Sequence, residues 1–125
     1  MTATKVVDAS AVAALLFGEP DGEAVAERLA DARLAAPPLM AFELANVCRV
    51  KCRRHPGQRQ ALRAGFALRR QLGVEDVAVD ADAVVALALE TGLTAYDASY
   101  LWLARQLGAE LVTLDKALQA AAAGR

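Results

Sequence analysis

Four acidic residues, Asp8, Glu43, Asp97 and Asp115, occupy positions where charge is hard to accommodate. Asp8 closes the apolar run Lys5-Val6-Val7, and Asp115 closes Leu111-Val112-Thr113-Leu114. Glu43 and Asp97 fall on the apolar faces of two segments with helical spacing. An isolated carboxylate in such surroundings is costly unless a cation or hydrogen-bond donors compensate it. Four together suggest a carboxylate cage for a hard ion, because oxygen-only ligands select Mg²⁺ or Mn²⁺. Such an ion keeps several waters, lowers the pKa of one of them and polarises a phosphoryl oxygen, which is the chemistry of phosphodiester hydrolysis. Ser10, two residues beyond Asp8, is placed to hydrogen-bond a water on the ion. Asn46, one turn after Glu43, is placed to orient that carboxylate.

Other chemistries lack their residues. One histidine rules out acid–base work by a histidine pair. There is no glycine-rich phosphate loop and no G-x-S-x-G elbow. Cys48, Cys52 and His55 recur at i, i+4 and i+7, so a helical face could offer them to zinc. That face lies roughly opposite Glu43 and has no fourth ligand nearby, so packed thiols beside a surface histidine are the expectation. Tyr96, Tyr100 and Trp102 are expected as core or rim aromatics. The plainer role of a helix N-terminal cap suits Asp97 but not Glu43, which lies a full turn inside its helix.

The elements that must position the acids alternate short β-rich runs with longer helical ones, the signature of a parallel sheet wrapped by helices. Strands are expected at Lys5–Asp8, Leu34–Ala36, Asp76–Val79 and Glu110–Leu114. Helices are expected at Ser10–Phe17, Asp21–Arg33, Leu39–Arg54, 58–72, Asp82–Thr91, Ser99–Leu107 (starting as early as Ala95) and Lys116–Ala123. Gly73, Gly92 and Gly108 are the expected helix stops. In an open parallel sheet ligands bind beyond the carboxyl ends of the strands, which places Asp8 and Asp115 at that edge. At 100° per residue Glu43 shares a stripe with Leu39, Asn46, Val47 and Val50, and Asp97 begins one with Leu101, Ala104 and Gly108.

A chain of 125 residues with 56% apolar and 23% charged content reads as one soluble, globular domain. No apolar run approaches the roughly 20 residues that span a bilayer, and no export signal is evident at the start. Two cysteines make no disulfide framework, so the reducing cytoplasm is the expected compartment. The net charge of −1 hides an asymmetry: residues 49–72 carry eight basic side chains, and all fifteen acids lie outside that block. Such a block meets a polyanion or an acidic protein, or is a solvated helical hairpin.

Val6-Val7-Asp8-Ala9-Ser10-Ala11, Phe42-Glu43-Leu44-Ala45-Asn46-Val47, Thr94-Ala95-Tyr96-Asp97-Ala98-Ser99-Tyr100 and Val112-Thr113-Leu114-Asp115 resemble, in order and spacing, the four motifs of the PIN-domain family. Within it the resemblance is strongest to the VapC toxins of bacterial toxin–antitoxin pairs. The resemblance implies a three-layer α/β/α sandwich with a mostly parallel central sheet, residues 1–125 forming a single nuclease domain. It implies Mg²⁺- or Mn²⁺-dependent endoribonuclease activity with Asp8, Glu43, Asp97 and Asp115 as the metal-binding acids. It also implies a homodimer and inhibition by a VapB-type antitoxin. Arg49, Arg53, Arg59 and Arg63 are the expected contacts for RNA or antitoxin. Family members often continue into a further short strand, whereas this sequence stops at Gly124-Arg125. A catalytically silent PIN-like module that binds RNA or protein is the main alternative. A phospho-accepting receiver domain is a remote one, since it needs an aspartate ending a central strand near mid-chain.

Overall fold

The computed structural model describes residues 2–124. Strand β1 (Thr4–Val7) is followed by α1 (Ala9–Leu16), α2 (Gly22–Leu29) and β2 (Arg33–Ala36). Then come α3 (Leu39–Arg54), α4 (Arg59–Ala67), β3 (Glu75–Asp76), α5 (Ala81–Thr91), α6 (Ala95–Leu107), β4 (Glu110–Val112) and α7 (Lys116–Gly124). Short 3₁₀ turns at Pro56–Gln58 and Leu68–Leu72 flank α4.

The sheet order is β3-β2-β1-β4, and every neighbouring pair is parallel. The chain therefore winds outward from β1 through β2 to β3, then returns to place β4 on the other side of β1. Right-handed crossovers in the two directions put their helices on opposite faces. Helices α1 to α4 pack among themselves on one side, and α5, α6 and α7 on the other. This is the expected α/β/α sandwich. Because both faces are covered, β1 is apolar at consecutive positions: Val6 and Val7 are both fully buried.

Most element boundaries follow the sequence pattern, and the departures have local causes. The helix expected to run to Arg33 stops at Leu29, because Asp31 adopts a left-handed φ of 62° and β2 must start at Arg33 to pair with Thr4. The expected strand Asp76–Val79 is instead Glu75–Asp76. Val77 still donates to the Ala36 carbonyl, but the chain then leaves the sheet edge so that Asp80 can cap α5 through the Asp82 and Ala83 amides. The helix expected over 58–72 tightens into 3₁₀ turns at both ends. The second leads into Gly73, whose φ of 65° ends it. The last strand ends at Val112 rather than Leu114, since Thr113 and Leu114 leave the ladder to bind Asp8 and Ser10.

Close helix packing depends on small side chains. Ala11, Ala13 and Ala14 are buried on α1. A Cβ at Gly22 would lie 2.7 Å from the Ala14 carbonyl oxygen, and one at Gly65 2.8 Å from that of Leu16. Gly65 thus lets α4, with its arginines, seat against the end of α1. Gly65→Ala should lower stability by about 1–3 kcal/mol even though alanine is the better helix former, because backbone cannot yield to the added methyl. Urea denaturation checks this, and an unchanged or raised midpoint would contradict the close approach.

Candidate active site

The switch in winding direction falls between β1 and β4, and the crevice beyond the strand ends at such a point is where ligands bind in open α/β sheets. Register pairs Val7 with Val112, so the next residues, Asp8 and Thr113, emerge side by side. Asp8 is 5% exposed and is the N-cap of α1. Its Oδ1 accepts from the Ser10 hydroxyl at 2.7 Å and from the Ala11 amide at 3.0 Å, and its Oδ2 from the Thr113 hydroxyl at 2.5 Å. Ser10 also accepts from the Leu114 amide at 2.9 Å, tying the two strand ends together. Ser10 stands beside Asp8 as the spacing suggested, with its proton directed to the carboxylate itself.

Asp115 caps α7: its Oδ1 accepts from the Leu118 amide at 2.8 Å, and its own amide donates to Thr113 Oγ1 at 3.0 Å. Asp97 lies in the first turn of α6, where Thr94 is the cap and accepts from the Asp97 amide at 3.1 Å. The capping role that suited Asp97 therefore belongs to Thr94, leaving the Asp97 carboxylate free of it. Helix N-termini lie at three of the four acids, and their partial positive charge favours carboxylates there.

Glu43 is half-buried on α3, and its Oε1 accepts from the Tyr100 hydroxyl at 2.5 Å. The most buried stripe is Met40, Leu44, Cys48 and Cys52; of the expected stripe of Leu39, Glu43, Asn46, Val47 and Val50, Leu39 and Val47 do pack against the core, while Asn46 is exposed. Glu43 thus sits at the margin of the buried face, where an ionisable side chain keeps access to water. Asn46 is exposed, and among the described residues no hydrogen bond joins it to Glu43. Cys48 and Cys52 are buried free thiols turned toward the Leu62 and Arg59 carbonyls of α4, and His55 is exposed. Packed thiols beside a surface histidine are what the burial of the three side chains shows.

The four acids share one electrostatic neighbourhood. Burial pushes the Asp8 carboxyl up, against the pull of Thr113, Ser10 and the Ala11 amide, and Asp115 pushes it further. Burial also raises Glu43, with Tyr100 opposing and the charges of Asp97 and Asp8 adding to it. Asp97 is raised by burial and then by Asp115 and Asp8. Among the described residues none of the four is paired with a lysine or arginine. Negative charge is thus concentrated without a protein cation, and the donor set is all oxygen, which fits Mg²⁺ or Mn²⁺. Among the described residues, no three acid, histidine or cysteine side chains already stand together as an ion cage. A hard ion that retains waters spans such an arrangement better than a bare one.

The basic block forms a separate feature. A groove of about 560 Å³ runs between α3 and α4, lined by Arg49, Arg53, Arg59, Arg63, Arg69 and Arg70 over a floor that includes Cys48, Cys52 and Phe66. Lys51 is paired with Glu19 at 2.8 Å, and Arg69 lies over the Phe66 ring at 4.0 Å. Arg49, Arg53, Arg59 and Arg63 are exposed and, among the described residues, unpaired. None of the four acids lines this groove.

Three groups escaped sequence reasoning: Thr113, Tyr100 and Thr94. The signal was present for two of them. Thr113 precedes Asp115 by two residues, and Tyr100 follows Asp97 by one helical turn.

The model of the PIN domain family matches residues 5–124. Ribonuclease VapC3 of Pyrobaculum aerophilum is 36% identical over 118 residues, covering 90% of each chain. The crystal structure of PAE2754 from Pyrobaculum aerophilum aligns with a TM-score of 0.76 at 29% identity, over 99% of this chain and 90% of that one.

Asp8, Glu43 and Asp97 hold protons in the folded state at pH values where the unfolded chain has released them. Without a divalent ion, their contribution to stability therefore falls as pH rises from the ordinary carboxylate values, 3.8 for aspartate and 4.5 for glutamate, through the raised ones. Asp97→Asn, which removes one charge and no hydrogen bond that holds the fold, should raise the melting temperature in EDTA by a few degrees at pH 7.5 and by less at pH 4.5. Thermal melts at the two pH values check this, and a variant less stable than the parent at pH 7.5 would contradict it.

Proposed function

The chain belongs to the PIN-domain family, and from that premise we propose that it is an Mg²⁺- or Mn²⁺-dependent endoribonuclease of the VapC type, the toxin of a toxin–antitoxin pair. The observation that carries the reading is the cluster of four mutually repelling carboxylates at the switch point, with no protein cation to balance it. The kinship with a protein named as a ribonuclease supports RNA as the substrate. On this reading residues 1–125 work as a single nuclease domain.

In the proposed site Asp8, Glu43, Asp97 and Asp115 hold the ion. When bound, it supplies the acidity that makes a water nucleophilic and offsets charge on the phosphoryl oxygens. The chain supplies position. Thr113, Ser10 and the Ala11 amide fix Asp8 from three directions, so it cannot swing away when charge arrives. Asp115 is fixed by the start of α7, and Asp97 is carried on the rigid first turn of α6. In hydrolysis the water oxygen joins phosphorus and the bond to one bridging ribose oxygen breaks; the proton lost by the water ends on that leaving oxygen or in solvent.

Arg49, Arg53, Arg59 and Arg63 are the proposed contacts for the RNA backbone or for an acidic antitoxin segment. Guanidinium groups one turn apart on facing helices suit repeated anionic groups, and no acid lines their groove. A homodimer, a VapB-type antitoxin and a cytoplasmic location complete the reading. Among the described residues no helix is long and apolar enough to cross a membrane. The absence of a ready-made ion cage is the observation that favours the alternative, a catalytically silent RNA- or protein-binding module. The receiver-domain alternative finds no support: mid-chain is helical, and the aspartate ending β3 lies on the sheet edge.

Purified protein should cleave RNA with Mg²⁺ or Mn²⁺ and lose that activity in EDTA. Asp8→Asn and Asp97→Asn should each reduce cleavage by at least about 100-fold, in the range seen when groups that stabilise a transition state are removed. Equal cleavage in EDTA, or full activity in both variants, would leave the silent module as the better reading. Separately, Arg59→Glu with Arg63→Glu should weaken RNA binding and flatten its salt dependence by a slope of about 1 for each phosphate that is no longer neutralised. Unchanged RNA binding with weakened antitoxin binding would assign the groove to the protein partner, and no change in either would make it a solvated face.

A further inference from the structure

Three phenylalanines, two tyrosines and one tryptophan are all the aromatic residues of the chain. Tyr100 is buried, and Phe17, Phe66 and Trp102 pack against the core. The two left in solvent are Phe42, 78% exposed, and Tyr96, 67% exposed. Each immediately precedes an acid of the site, Phe42 before Glu43 and Tyr96 before Asp97. They come from two helices that meet there. The Tyr100 hydroxyl of α6 donates to Glu43 Oε1 of α3, and Tyr96 lies one turn N-terminal of Tyr100 on the same face. The turn that carries Tyr96 is held by the Ser99 hydroxyl, which donates to the Tyr96 carbonyl at 2.6 Å. A lone exposed ring is ordinary on a protein surface. Two rings exposed only beside the acids, on fixed supports, are a feature of the site.

Phe42 also begins a second pattern. Phe42, Asn46, Arg49 and Arg53 recur at i, i+4, i+7 and i+11 on α3, and all four are exposed. They form one solvent-facing stripe, with Arg49 about 10 Å and Arg53 about 16 Å from Phe42 along the axis. Both arginines line the groove between α3 and α4, so the stripe leads from that groove to the rim of the acid cluster. Beyond its ring the stripe is polar and cationic, which does not suit the apolar core of a protein–protein contact. A ring followed by guanidinium groups matches a polymer that alternates flat bases with phosphates. In an RNA duplex the base faces are closed by stacking on one another, so exposed rings engage an unpaired strand. We propose that Phe42 and Tyr96 stack unpaired bases next to the phosphate presented to the acids, and that Arg49 and Arg53 hold the strand that leads there. The inference rests on the reading of the chain as a ribonuclease with its four acids at the reacting phosphate.

The test is fluorescence anisotropy with a labelled single-stranded uridine dodecamer and an RNA duplex of the same length, over a range of salt concentrations with Mg²⁺ present. The Asp97→Asn background keeps the RNA intact. Phe42→Ala and Tyr96→Ala should each weaken dodecamer binding about 5- to 100-fold, the range for losing one stacked base, with the salt slope unchanged. Duplex binding should stay as it was, and the ring-keeping variants Phe42→Tyr and Tyr96→Phe should bind the dodecamer like the parent. Arg49→Ala should instead lower the salt slope for the dodecamer. Dodecamer affinity unchanged in both alanine variants, equal losses for duplex and dodecamer, or ring-keeping variants that bind as weakly as alanine would each overturn the proposal. Alanine variants that dissociate a dimer in sedimentation while keeping dodecamer affinity would assign the rings to a second copy of the chain, which also overturns it. Cleavage assays on the proteins with Asp97 intact separate this from the nuclease reading. A parent that binds through its rings but leaves RNA uncut with Mg²⁺ or Mn²⁺ refutes the nuclease and keeps the stacking. A parent that cuts RNA with unaltered binding in both alanine variants keeps the nuclease and refutes the stacking.

Discussion

Repulsion among Asp8, Glu43, Asp97 and Asp115 is the constraint around which the fold is arranged. Three of the four carboxyls have pKa values raised by burial and by one another, with no lysine or arginine beside them. A fold with such a cluster must limit the cost without cancelling the charge. It does so with neutral donors and helix N-termini, whose partial charges stabilise carboxylates while leaving the site anionic. Asp8 is the extreme case, since it is the most buried of the four and takes three hydrogen bonds. A guanidinium in the same place would neutralise the cluster on which the proposed ion site depends.

Most of the basic side chains are instead concentrated in the block at residues 49–72. Helix α3 carries Glu43 in its second turn and Lys51, Arg53 and Arg54 in its last, which also suits its dipole. From Glu43 the groove arginines of the same helix lie about 9 Å (Arg49) and about 15 Å (Arg53) along the axis, against a Debye length of about 8 Å at physiological ionic strength. Acid cluster and arginine groove therefore behave as two separate surfaces on one helix pair. The glycine that seats α4 on α1 sets the position of this second surface as surely as the strand register sets the first.

Local signals made much of this legible in the sequence. Strand ends marked Asp8 and Asp115, and helix Leu39–Arg54 appears with the boundaries its pattern gave, because Pro37-Pro38 and His55-Pro56-Gly57 delimit it. What the sequence did not display was whatever depends on register between distant segments. Thr113 read as one more strand residue until pairing of Val7 with Val112 brought it against Asp8. Tyr100 read as a core aromatic, which it is, but its hydroxyl partner lies on another helix. Helix α3 buries more than the expected stripe: Leu39 and Val47 pack on the core as expected, and a second stripe carrying the cysteines is buried as well. That second stripe is covered by α4, a neighbour that the pattern of α3 alone does not reveal.

Whether these carboxylates form one strained, cation-deficient cluster is tested most directly by NMR titration of their side-chain carbons, with and without Mg²⁺. Asp8, Glu43 and Asp97 should titrate above ordinary carboxylate values in chelator, and all three should shift down together when Mg²⁺ is added. Ordinary values that do not respond to Mg²⁺ would contradict it.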